Sequence, residues 1–400
     1  MSTKRLLHRI LSQVPGASFT VRFWDGEAVR YGSGPEQFAL HLKYEAVCKR
    51  LLGNLHVRFG EAYVSGAVEV HGDLQQLLRW MFIASPAAFS LSRGEKLKLA
   101  LMRWHGANGL VEARRNVAQH YDLGNEFFQL WLGKELVYSC AYFMSPEDDL
   151  DTAQEQKMRY ICAKLCLYPG ARLLDLGCGW GGFLRHATTQ HGVRGVGITL
   201  SAAQREEASR RIAAAGVTDQ VVVELKDYRE LRETGSFDRI VSIGMFEHVG
   251  KRNYPDYFRH TSRLLKDGGV GVLHTIGRQA AAPANPWITK YIFPGAHFPS
   301  LAEITAPLAQ SGLMITDIEV WRLHYALTLE RWLEAYETSL DRIRAMYGEP
   351  FTRMWRLYLA GCAASFRYGD FCVWQIQFSK GQTDEIPLTR QYLYHSDRRY

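Results

Sequence analysis

The 400-residue chain is 47% hydrophobic and 22% charged, which suits two unequal globular domains with full cores and excludes disordered, collagen-like and fibrous classes. Its longest largely apolar stretches, residues 80–92 and 304–316, fall short of the roughly 20 residues that a membrane-spanning helix needs. The formal net charge of +7 is confined to the first 115 residues, where 16 Lys and Arg face 9 Asp and Glu; the remaining residues carry 32 of each sign.

A basic N-terminal module points to an anionic partner surface, phospholipid head groups or nucleic acid, or simply to a solubilising face. Met1 to Val14 begins basic, but Arg9 cuts its apolar run and no small-residue cleavage site follows, so no secretory signal is expected. Seven cysteines without a CxxC pair fit free thiols in a reducing cytosol and argue against a zinc site.

Along the chain, alternation predicts strands over 19–24 and 28–31, with Asp25-Gly26 as their turn. A helix over 37–52 and strands over 55–59 and 67–71 follow, then a helix with Asp73 as N-cap and Gln76 three positions on. Residues 1–92 thus form a small α+β domain, and 93–115, with Lys96, Lys98 and Arg103 among leucines, the linker. The apolar run before it suits a buried inter-domain helix or a bilayer interface.

From about Asn116 strands and helices alternate, the pattern of a mostly parallel sheet covered on both faces, so 116–400 is expected to be one α/β domain. Strands are predicted over 172–176, 195–199, 221–225, 237–243 and 270–276, with 314–321 and 372–378 completing seven, and a helical insertion over 327–366.

Asp175-Leu-Gly177-Cys-Gly179-Trp-Gly-Gly182 joins the first of these strands to a helix, where glycines let backbone approach a ligand and the helix start offers free N–H groups. The spacing also satisfies the dinucleotide pattern, yet the second strand ends in Thr199-Leu-Ser201 without the acidic residue that would hold a ribose there. Asp175, Lys226-Asp227-Tyr228 and Ser236-Phe-Asp238 instead resemble the pattern of methyltransferases that use S-adenosylmethionine (AdoMet).

Six further motifs narrow the resemblance. Ala118-Gln-His-Tyr-Asp-Leu-Gly124-Asn125-Glu-Phe127-Phe128, Tyr138-Ser-Cys140-Ala-Tyr142-Phe143, Leu174 to Gly181, Gly197 to Gln204, Met245-Phe-Glu247-His248-Val-Gly and His274-Thr-Ile276-Gly resemble, in order, the cyclopropane-fatty-acid synthase family. The first hundred residues, including Val68-Glu-Val-His-Gly-Asp73-Leu, look like the N-terminal domain of its bacterial phospholipid enzymes.

That resemblance implies an AdoMet-dependent, Rossmann-like fold and addition of a methylene group across a cis double bond of phospholipid acyl chains. It implies a bound bicarbonate ion as the base, held by Cys140, Glu247, His274, the Ile276 backbone and Tyr325; with no zinc-type cysteine spacing, no metal is expected. It places AdoMet against Tyr138, Ser139, Asp175, Gly177, Gly179, Thr199, Gln204, Asp227 and Tyr228. The implied partner is a phospholipid bilayer, met peripherally from the cytoplasm, and the resemblance suggests a homodimer.

Competing readings are branching or methylene-forming C-methylation of the same lipids, N-methylation of small amines, and a lipid-binding scaffold with a decayed site. The basic module counts against the amine reading, and the intact Glu247, His274 and Tyr325 set against the scaffold. Nucleic acid is not expected as a partner, because Met245-Phe-Glu-His stands where base methyltransferases often carry an Asn/Asp-Pro-Pro-aromatic signature.

Overall fold

The computed structural model describes residues 3–12, 16–51, 55–83 and 123–394. The 93–115 linker, residues 84–92 and the motif residues Ala118 to Asp122 lie outside them. The chain divides into two compact units that are discontinuous in sequence. Residues 1–105, 285–292 and 332–370 form the first, and 106–284, 293–331 and 371–400 the second.

The first unit holds a four-stranded sheet of β1 (Phe19–Arg22), β2 (Ala28–Tyr31), β3 (Phe38–Leu42) and β4 (Val68–Gly72), in the order β2-β1-β3-β4. Phe19, Phe38 and Leu42 alternate into its core, where Phe19 stacks on Phe38 and meets Trp80 of the helix Leu74–Ile83. Asp73 caps that helix through the Gln75 N–H at 2.7 Å, as its sequence predicts.

Two expectations fail here. The helix predicted over 37–52 is the strand β3 followed by a helix over Glu45–Leu51, because Phe38 to Leu42 pair with β1 on one side and β4 on the other, a tertiary contact that the i, i+4 spacing of Phe38 and Leu42 does not reveal. The strand predicted over 55–59 opens a helix, Leu55–Val64. Leu55, Val57 and Phe59 mimic alternation, but the buried set Phe59, Ala62 and Tyr63 follows the i, i+3, i+4 rule. The predicted helical insertion is three helices, Arg322–Thr338, Leu340–Tyr347 and Glu349–Tyr368, and most of it groups with this first unit. The reason is local: Arg353 donates to the Tyr63 and Val68 carbonyls at 2.6 and 2.9 Å.

The second unit is built on a seven-stranded sheet ordered β10-β11-β9-β8-β5-β6-β7, with β5 Arg172–Leu176, β6 Arg194–Thr199, β7 Val221–Leu225, β8 Phe237–Ile243, β9 Leu265–Arg278, β10 Leu313–Val320 and β11 Phe371–Lys380. All neighbours are parallel except β11, which runs antiparallel between β9 and β10. One face buries Met158, Ile161, Phe183 and Leu184 from the helices Leu150–Lys164 and Gly182–His191. The other buries Tyr257 and Phe258 from Tyr254–Leu264 and Ile304 and Leu308 from Leu301–Gln310. The strand order reverses at β5, and in open α/β sheets such a switch point opens a crevice at the carboxyl ends of the strands.

Candidate active site

Two adjoining cavities occupy that crevice, sharing Tyr138, Ser139, Gly244 and His248 in their walls. The larger encloses about 1170 Å³ including its open mouth, and all nine residues predicted to meet AdoMet line it.

The loop after β5 supplies Gly177 and Gly179, both in the left-handed region at φ of 90° and 55°. A Cβ on Gly177 would strike Met245 at 2.7 Å, whereas one on Gly179 would meet nothing within 4 Å. The first glycine is needed for packing, and the second keeps space open. Thr199 closes β6 by donating to Gln204 Oε1 at 2.7 Å, and Ser201 caps the helix Ala202–Ala214 through the Gln204 N–H. Both Asp227 oxygens are engaged by Arg229, so this predicted adenine contact is a fixed wall of the slot. The Tyr228 hydroxyl beside it is buried without a partner.

The signature residues before β5 serve as a scaffold. Trp180 donates to Asn125 Oδ1 at 2.8 Å, Phe128 packs on Trp180 and Tyr138, and Trp131 meets Tyr138 edge-on at 5.2 Å. They fix Tyr138 and Ser139 between the two cavities.

No sequence motif marks Lys157. It is 1% exposed, lines the larger cavity and donates to Ser139 Oγ at 2.9 Å. Burial lowers its pKa to about 7, against the pull of Cys140 and Asp175. Burial raises Asp175 to about 7, opposed by the Lys157 charge, and leaves Asp175 Oδ1 without a partner. Polar residues on the buried face of one helix, Gln154, Lys157 and Lys164, were the available signal.

The smaller cavity is lined by Cys140, Glu247, His274, Ile276 and Tyr325 together, from four separate segments. Glu247 is 3% exposed; the Ile276 N–H donates to its Oε1 at 2.6 Å, and its Oε2 has no partner. Burial raises its pKa to about 7 despite the Ile276 hydrogen bond. His274 is held well below the ordinary histidine range by burial and by the charges of Lys157 and Lys164. The Gln375 amide lies 3.3 Å from His274 Nδ1. With that amide donating, neutral His274 carries its proton on Nε2, which is buried and unpartnered. Burial pushes the Cys140 thiol up, so it stays protonated. Phe293, Phe298, Tyr138 and Tyr325 give the cavity an aromatic wall.

The helix carrying Tyr325 is tied to the segment carrying Cys140. The Ala141 N–H donates to Thr328 Oγ1 at 2.9 Å and the Phe143 N–H to His324 Nδ1 at 3.1 Å, which requires a neutral His324. Burial lowers the pKa of that histidine accordingly. Neither anchor stood out in the sequence.

Both cavities fit the groups expected. The rim cations Lys226 and Arg229 pair with Glu224 and Asp227, leaving a crevice suited to a sulfonium ligand and not to a pyrophosphate. An orphaned acceptor at Glu247 and an orphaned N–H at His274 suit a small amphoteric oxyanion such as bicarbonate. This fold, with its glycine loop at the switch point, defines an AdoMet-dependent methyltransferase.

The mycolic acid cyclopropane synthetase family model matches residues 109–376, and a domain of unknown function matches residues 6–91. A probable fatty acid methyltransferase of Pseudomonas putida is 37% identical over 400 residues, covering 96% of this chain and all of that protein. The cyclopropane-fatty-acyl-phospholipid synthase of Escherichia coli K12 is 41% identical over 273 residues, 68% of this chain and 69% of that one. The solved mycolic acid cyclopropane synthase CmaA1, complexed with SAH and CTAB, is 34% identical with a TM-score of 0.63, over 67% of this chain and 98% of that chain. The chain therefore belongs to the mycolic acid cyclopropane synthetase family of AdoMet-dependent methyltransferases.

Proposed function

We propose that the enzyme adds a methylene group across a cis double bond in the acyl chains of membrane phospholipids, closing a cyclopropane ring, with bicarbonate as the base. AdoMet supplies an electrophilic methyl group, and bicarbonate a small base that does not itself capture a cation. The alkene forms a C–C bond to that methyl as its C–S bond breaks, which leaves a carbocation in the acyl chain. A proton then leaves the new methyl group and the ring closes.

The observation that carries this reading is the smaller cavity. Glu247 Oε2 and His274 Nε2 are left unpartnered beside the cofactor crevice, behind an aromatic wall that disfavours water and stabilises positive charge. In this reading Glu247 and His274 orient the oxyanion, the Ile276 N–H fixes Glu247, and Cys140 and Tyr325 complete its pocket. Lys157 holds Ser139 between the two cavities.

The basic first 115 residues are the proposed contact with the bilayer, met peripherally from the cytoplasmic side. Among the described residues no helix is long and apolar enough to cross a membrane. A second reading, methyl or methylene branching of the same chains, draws on the full-length Pseudomonas relative, whose name specifies fatty acid methylation. It differs in the fate of the cation: a hydride shift before the proton leaves the new methyl gives an exocyclic methylene, loss of a chain proton gives a methyl-branched alkene, and a saturated methyl branch needs an added hydride donor.

Methyl-labelled AdoMet tests the substrate class. After incubation with vesicles of cis-unsaturated phospholipid and transesterification, label is expected in the fatty acid methyl esters. Label in the head group, or none in lipid, contradicts the proposal.

A further inference from the structure

We infer that the outer face of the N-terminal sheet carries a divalent-metal site made by His41, Glu69 and His71, taking a late transition ion of the Zn²⁺ class. His41 on β3 is the cross-strand partner of Glu69 on the edge strand β4, and His71 stands two residues further along β4. Alternation along a strand puts all three on one face, opposite the buried Phe38, Leu42 and Val68.

Their donor atoms lie within 4.8 Å of one another. Glu69 Oε2 is 3.7 Å from both His41 Nδ1 and His71 Nε2. Donors bound at roughly 2.0–2.1 Å around one tetrahedral ion stand about 3.3–3.4 Å apart, so small side-chain rotations bring carboxylate and imidazoles onto an ion. The carboxylate is already aimed, because Lys43 holds the other oxygen, Oε1. Two imidazoles and a carboxylate suit zinc and its neighbours better than the oxygen-seeking Mg²⁺ or Ca²⁺.

Three protein ligands at a half-open surface leave a position for water or a further ligand. The site departs from the expectation of no metal, which rested on cysteine spacing. The present ligands come together only through the register of β3 against β4. Lys43 and Arg22, the β1 register partner of His41, place positive charge nearby and keep the site weaker than a closed four-ligand one.

The test is calorimetric titration of ZnCl₂ into the full-length, tag-free, chelator-treated protein, alongside His41→Ala, His71→Ala and the double variant. The His71 side chain is 65% exposed, so its loss leaves folding intact, which circular dichroism verifies. The wild type is expected to bind one equivalent that each single variant weakens at least about 10-fold and the double variant loses. Zn²⁺ should also raise the melting temperature of the wild type but not of the double variant. Absence of binding, or binding unchanged in the double variant, overturns the site.

Discussion

The Ile276 N–H donates to Glu247 Oε1 at 2.6 Å, and the other carboxylate oxygen is left buried without a partner beside an aromatic-walled cavity. A buried acid so arranged is costly to ionise, as its pKa of about 7 records. That cost is the mark of a group placed to hold something else.

Replacing Glu247 by Gln is expected to separate function from stability. Glutamine keeps an acceptor for the Ile276 N–H, so AdoMet affinity should stay while turnover falls about 100-fold or more. The folded state favours the protonated acid, so this group supports folding fully below about pH 4.5 and less as pH rises to about 7. Glu247→Gln should therefore be more stable than the unliganded wild type at pH 8, by up to about 3 kcal/mol, with the gap vanishing near pH 4.5. Urea unfolding at both pH values checks it; a less stable variant at pH 8 contradicts it. Wild-type activity should fall in bicarbonate-depleted buffer and recover on adding the ion back.

Charge in the cofactor crevice predicts a pH dependence. Lys157 loses its proton and Asp175 loses its own near pH 7, so both changes make the crevice more negative as pH rises from 6 to 8. Affinity for the cationic AdoMet should rise over that range, while that for the uncharged thioether product changes less. Lys157→Met should flatten part of the rise. Equal slopes for the two ligands in calorimetry would rule this out.

Contact with the bilayer should be electrostatic. Vesicles rich in anionic lipid are expected to bind the full-length protein at low ionic strength and release it as the screening length shrinks from about 10 Å at 0.1 M salt to about 3 Å at 1 M. Hydrogen-exchange protection on the vesicles should fall within residues 1–115. Salt-insensitive binding, or protection confined to the catalytic sheet, speaks against it.

Much of this site is legible in the sequence. The glycine loop and Thr199 sit at the ends of β5 and β6, Glu247 in the turn after β8 and His274 inside β9, where local pattern and motif identify them, and the seven strands follow from clear apolar runs. Lys157, Thr328 and His324 are not legible there, because each acts across a long separation: Lys157 on Ser139, Thr328 on Ala141, His324 on Phe143. The misassigned elements at 37–52 and 55–59 are short, and there alternation and helical spacing overlap. His41, Glu69 and His71 became a group only through strand register.

The most direct test of the reaction is the proton NMR spectrum of phospholipid recovered after incubation with the enzyme and AdoMet. Cyclopropane and methylene-branched products have the same mass, so mass alone does not decide. High-field ring protons that grow as the olefinic signal disappears are the predicted result. Branch methyl or exocyclic methylene signals without ring protons would contradict ring closure.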